Sequence, residues 1–216
     1  MDRAKSEQGF TLVELLVVVL LLGIVGGFTT TALVTALNNS RATSERAIAL
    51  HDIERSLQIV ARELRVADPI YLTADGDYAG TIGAEIVRDR KVQIHSFTIE
   101  DIDGLEYLVQ NIVEYDIDDV GAGIPADATP ITLPQRRLVT DLDNDLDSGL
   151  ESVFTYHDED GSEIDCSSLT VAACEDRYAD AAQIGIRLIR NIDGQEPIRG
   201  ETRVNVRNTR YVRSTT

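Results

Sequence analysis

Residues 8–37 read QGFTLVELLVVVLLLGIVGGFTTTALVTAL, and this stretch decides how the chain is organised. From Leu15 to Leu37 there are 23 residues with no charge and no proline. A helix of about 20 apolar residues crosses a bilayer core. The threonines of this run are compatible with it, because a threonine hydroxyl can bond back to the carbonyl one turn earlier. The reading is a membrane segment. Gly23, Gly26 and Gly27 also allow a small-residue cleavage site of a secretory signal, but the residues before the run say more. Glu14 places a carboxylate beside the apolar stretch. Near the centre of a membrane helix such a charge costs about 2.5–3.5 kcal/mol. Either Glu14 sits at the interface with its carboxylate in the polar layer, or it needs a cationic partner.

The helical pattern continues past the apolar run. Ser40 to Val66 contains no glycine or proline. Apolar residues recur at Ala47, Leu50, Ile53, Leu57, Val60 and Leu64, in steps of three and four, which is one helix face. Glu45, Arg46, Asp52, Glu54, Arg55, Arg62, Glu63 and Arg65 fill the other positions. Asp68-Pro69 predicts the stop, because a residue before proline is pushed out of the helical region. One helix of roughly 85 Å over residues 10–67 is expected. After Pro69 the pattern turns to short alternating stretches: Ala84–Arg88, Lys91–Ile99, Leu105–Tyr115, Leu150–Tyr156, Ile184–Arg190 and Thr202–Arg207. Asp160-Gly161 marks a turn after Tyr156, and Asn191–Pro197 a hairpin-like link between the last two strands. The expected fold class is α+β, an antiparallel sheet covering the amphipathic half of a long N-terminal helix.

The N-terminus, MDRAKSEQGFTLVELLVVVLLLGIVGG, resembles a type IV prepilin leader, the class III signal shared by pilins and pseudopilins. The resemblance implies a short leader with basic residues, here Arg3 and Lys5, that ends in Gly9. A membrane prepilin peptidase would cut after Gly9 on the cytoplasmic side, and Phe10 would become an N-methylated N-terminus. Glu14 would then stand five residues into the mature chain. It would neutralise the α-amine of a neighbouring subunit's Phe10 inside the fibre, where either charge alone would be buried unpaired. The resemblance also implies the ladle-shaped pilin fold, and four segments: leader 1–9, transmembrane and assembly helix 10–37, amphipathic helix 38–68, and acidic β-rich head 69–216. Many pilins carry a proline about two-thirds along the membrane segment. Here Thr31 stands there, and no proline occurs between Met1 and Asp68. A continuous helix, softened if anywhere at Gly23, Gly26 and Gly27, is expected. The VFTYHDEDG stretch with late strands ending at Arg207-Asn208 is similar to a group of minor pilins and J-type pseudopilins of type II secretion.

The formal net charge of −17 is unevenly spread. The leader is neutral, residues 10–69 hold six acids and five bases, and −16 lies beyond them. Leu138 to Asp176 contains twelve acids and no Lys or Arg. An acidic head argues against direct nucleic-acid binding, which needs a basic surface. The alternating run Asp141, Asp143, Asp145, Asp147 presents oxygens of the kind Ca²⁺ takes, six to eight at a time. The run lacks the glycine of an EF-hand loop, and a solvated acidic loop is the alternative. Two cysteines and three histidines are too few for a soft metal cluster.

Cys166 and Cys174 enclose seven residues. On an extracytoplasmic face an oxidised pair is expected, contributing about 2.5 kcal/mol by loop entropy. The spacing is not that of a redox CxxC motif, and two free thiols are the alternative in a non-oxidising compartment. No nucleophile motif such as GxSxG and no Gly-rich phosphate loop occurs, so no catalytic activity is expected. His51, His95 and His157 are each expected to be structural or exposed. The expected function is that of a minor pilin or pseudopilin in a type IV pilus or type II secretion-like fibre. Its partners would be the membrane, the prepilin peptidase and other pilins. It would start as a single-pass protein of the cytoplasmic membrane and end in a periplasmic or extracellular fibre. A major or competence-type pilin is the alternative within that class. A signal-anchored surface binding module that never assembles is the alternative outside it.

Overall fold

One α-helix, α1, runs from Leu12 to Val66 without a break. It passes through Gly23, Gly26 and Gly27, which keep helical geometry with nothing within 4 Å of where a Cβ would stand. The computed structural model describes residues 11–67, 70–71, 81–88, 90–116, 124, 127–142, 152–164, 178, 181–192 and 195–206. The chain divides into two units, Met1–Arg46 and Ala47–Thr216.

In the first unit the large apolar side chains from Leu12 to Leu37 are all 48–81% exposed. They cover every side of the helix, so no single core-facing stripe can be drawn. Thr29, Thr30, Thr31, Thr35 and Thr43 each donate from Oγ1 to the carbonyl four residues earlier, at 2.8–3.0 Å. The first four lie within the apolar run, where this back-bonding removes the hydroxyl's demand for water.

In the second unit the remainder of α1 packs on an antiparallel sheet of nine strands. These are β1 (Ile70–Tyr71), β2 (Thr81–Arg88), β3 (Lys91–Ile102), β4 (Leu105–Asp116), β5 (Ile131–Thr132), β6 (Arg136–Leu142), β7 (Phe154–His157), β8 (Gln183–Arg190) and β9 (Ile198–Asn205). β1 to β4 form a meander, and β5 and β6 add to the far edge of β4. β6 meets β8 through one residue pair, Leu142 with Arg190. β7 lies farther along that edge of β8, and β9 runs along its other edge.

The β3–β4 hairpin turns on Asp103 (φ 59°) and Gly104 (φ 81°), with Asp101 Oδ1 accepting from Gly104 N at 3.0 Å. Both central residues have positive φ, the backbone twist that suits two-residue hairpins. Gly161 (φ 81°) closes the expected turn after β7, where Asp158 Oδ1 accepts from Asp160 N and Ser162 N.

Residues directly opposite one another in an antiparallel pair share a face. Ile82, Phe97 and Leu108 on β2–β4 and Phe154, Tyr156, Ile184, Ile186, Leu188 and Val204 on β7–β9 join one core with α1. From the helix come Ala49, Ile53, Leu57, Val60, Ala61 and Leu64. This corrects the predicted stripe at its start. Ala47 is exposed and Leu50 is 43% exposed, while Ala49 is buried. Steps of three and four from Ile53 reach Leu50 and Ala49 equally well, and the sheet accepts the smaller residue. Ser56 is also buried, its Oγ lying 2.7 Å from Asp52 O and 2.9 Å from Leu138 O on β6, two acceptors for one proton. Arg190 of β8 reaches Asp52 at 3.2 Å.

On the other face of β8, Gly185 sits opposite Thr155. A Cβ there would stand well inside 3.0 Å of Thr155 Oγ1 and 3.0 Å from His157 Nε2. Both side chains are buried, at 5% and 2% exposure, so neither can swing into solvent. Gly185→Ala is expected to destabilise the full chain by about 1–3 kcal/mol, the usual range for overpacking. A denaturation midpoint equal to that of the wild type would show that the strands part at no cost.

Candidate functional site

The N-terminus of α1 is built by four residues, Thr11-Leu12-Val13-Glu14. The first N–H groups of a helix have no carbonyl to bond within it. Here Glu14 N donates to Thr11 Oγ1 at 3.3 Å, and Thr11 N donates back to Glu14 Oε2 at 3.0 Å. Thr11 Oγ1 lies 3.0 Å from the same Oε2. This is a reciprocal capping box, a threonine at the N-cap and a glutamate three residues on. The negative charge also faces the positive end of the helix dipole. Glu14 thus has a role inside its own chain that the sequence reading above does not include, although the S/T-x-x-E spacing before an apolar run is its signature. The box uses Oε2, and Oε1 takes no part in it.

Gly9 and Phe10 lie outside the described residues, as do Arg3 and Lys5 of the leader. So do Cys166, Cys174, Asp143, Asp145 and Asp147. Asp141 is described, and it is a strand residue of β6 rather than part of a loop. Its φ of 61° marks a bulge, with Thr140 opposite Tyr107 and Leu142 opposite Glu106. An extra residue in one strand takes this left-handed geometry, which aspartate tolerates better than most side chains. Among the described residues no group of three His, Cys, Asp or Glu is placed to hold a metal ion.

The three histidines stand in different surroundings. His51 is exposed on α1. His157 is buried with Thr155 Oγ1 at 3.0 Å from its Nε2. His95 is buried at 3% exposure between two glutamines. Glu63, which the helical pattern assigns to the polar side, is also buried at 3%. It is held by Arg62 at 2.6 Å and by Arg88 of β2 at 3.4 Å. A buried carboxylate survives when cations and hydrogen bonds replace its water. Periodicity misses it because its β2 partner is distant in sequence.

A family described as the prokaryotic N-terminal methylation motif matches residues 4–30. The match spans the predicted Gly9–Phe10 junction, the capping box and most of the apolar run, and it supports a type IV prepilin-like protein. With the long helix on an antiparallel sheet, the architecture is α+β and type IV pilin-like. The family of the motif is structural rather than enzymatic. No curated protein matches the chain.

Proposed function

We propose that this chain is a structural subunit, a minor pilin or pseudopilin, of a type IV pilus or type II secretion-like fibre. The observation that carries the reading is the continuity of three features. The methylation motif over residues 4–30 takes in a capped helix start, and the capped helix carries an all-round apolar surface from Leu12 to Leu37. Such a surface has no stable exposure to water. A bilayer solvates it first, and the apolar helices of neighbouring subunits replace the lipid on assembly. The leader would be removed after Gly9 by the prepilin peptidase, and Phe10 would be methylated. The α-amine of Phe10 would then meet Glu14 of a neighbour. In this arrangement Glu14 Oε2 caps its own helix while Oε1 faces the incoming cation. The head would lie on the extracytoplasmic side, and the subunit would contribute packing rather than catalysis.

Mass spectrometry of the membrane-extracted protein tests this. A mature chain beginning at N-methylated Phe10 is expected. A leader left intact in cells with an active prepilin peptidase would overturn the reading, and would favour a signal-anchored surface module instead.

A further inference from the structure

A chain of polar side chains crosses the helix-facing side of β2–β4, where the apolar core gives way. Its direction is set at one end. Lys91 donates to Glu114 Oε1, which holds that carboxylate below and that ammonium above their usual ranges. Gln93 Nε2 donates to Glu114 Oε2 at 2.8 Å, so Gln93 turns its Oε1 toward His95. That oxygen lies 3.3 Å from His95 Nε2, which must therefore carry the proton. His95 Nδ1 is left as the acceptor of Gln110 Nε2 at 3.0 Å. The amide oxygen of Gln110, a residue 2% exposed, is buried without a hydrogen-bond partner among the described residues. The neutral imidazole satisfies every link but that one.

We propose that His95 is a proton-operated latch between the last turns of α1 and the β2–β4 part of the sheet. A proton arriving at Nδ1 makes it a donor and places it against the Gln110 NH₂. Turning that amide over brings its unpartnered oxygen onto Nδ1–H, so the protonated network has a hydrogen-bonded form of its own. The charge is then felt by the groups around it. From α1 these are Glu63, which favours the proton, and Arg62, which opposes it. From β2, Arg88 opposes it as well. From β3 and β4, Lys91 and Glu114 act through Gln93. Arg62 and Arg88 already occupy the two Glu63 oxygens. Both imidazolium N–H groups are engaged by the two glutamines, so its charge acts on this ion pair through space: it repels Arg62 and Arg88 and draws on the Glu63 carboxylate that ties the end of α1 to β2, and acidification loosens that tie.

Burial holds His95 below the usual histidine value of 6.5, against the pull of Glu63. Between the folded and unfolded values the unfolded chain takes up a proton that the folded chain refuses. The stabilisation from a neutral His95 is complete above 6.5 and is lost as pH falls toward the folded value. One proton changes the folding constant by at most about tenfold per pH unit.

The test uses the full chain in detergent, with imidazole NMR titration and amide exchange across residues 57–66 at pH values above and below that point. His95 is expected as the Nε2–H tautomer at neutral pH and to titrate below free histidine. Protection of residues 57–66 should fall several-fold on acidification. In His95→Gln that fall should vanish, and in His157→Gln it should persist. An unchanged fall in His95→Gln would overturn the latch. So would wild-type titration at or above the free-histidine value, which decides the matter even if the variant fails to fold.

Discussion

Glu14→Gln is expected to abolish incorporation into fibres as completely as Glu14→Ala, while leaving the start of α1 intact. The two substitutions separate the helix cap that Glu14 forms from the charge pairing proposed for it. Glutamine at the third helical position still accepts from the N-cap N–H, so the Thr11 box survives the change. What the helix loses is the favourable charge at its positive end, about 0.3–1 kcal/mol. Alanine removes both charge and acceptor. In the proposed fibre either change leaves the α-amine of a neighbour's Phe10 as an unpaired cation among apolar helices. Removing one partner of a buried pair costs about 3–5 kcal/mol, roughly two to four powers of ten in each docking equilibrium. The measurement is the fraction of subunit recovered in sheared fibres against the fraction left in the membrane. Near wild-type assembly of the glutamine variant, with failure of the alanine variant, would show that assembly uses the cap and not the charge.

The other large effect is expected where α1 meets β9. A Cβ on Gly200 would stand well inside 3.0 Å of Ile53 Cγ2 and 3.0 Å from Leu57 Cδ1. Ile53 is fully buried and Leu57 is 7% exposed, so neither can move aside into solvent. Ile53→Ala is expected to cost about 2–5 kcal/mol, from lost burial and the cavity left behind. Gly200→Ala is expected to cost about 1–3 kcal/mol, because the helix must lift or a rotamer must strain. Together they should cost less than the sum, since the alanine at 53 removes the Cγ2 that the new methyl strikes. Denaturation of the full chain in detergent reads all three. Strict additivity would mean that helix and strand do not touch at this point.

The parts of this protein that could be read from sequence were those that nearest neighbours decide. The length of α1 follows from an uninterrupted run without proline. The β7 turn follows from Asp160-Gly161, where glycine takes a positive φ without strain. The Asp103-Gly104 hairpin and the Thr11–Glu14 cap have equally local signatures, and the predicted pattern passed over both. β6 was hidden for a different reason. Arg136–Leu142 runs into the acidic tract and holds little alternating apolar character, yet Val139 and Leu142 are buried. Its strand conformation depends on the long edge that β4 offers it.

By itself the sequence determined the apolar helix, its continuation as an amphipathic one, the antiparallel texture beyond it and the prepilin-like character of the N-terminus. Each of these depends on hydropathy, periodicity or turn chemistry within a few residues. Only the tertiary structure decided that Ala49 and not Leu50 faces the sheet, that Gly200 lies against Ile53, and that Glu63 and His95 are buried near one another. A helix face is wider than one residue, and burial is granted by whatever arrives opposite it. For Glu63 and His95 that is a set of charges and amides from α1, β2, β3 and β4, which no local pattern of the chain brings together.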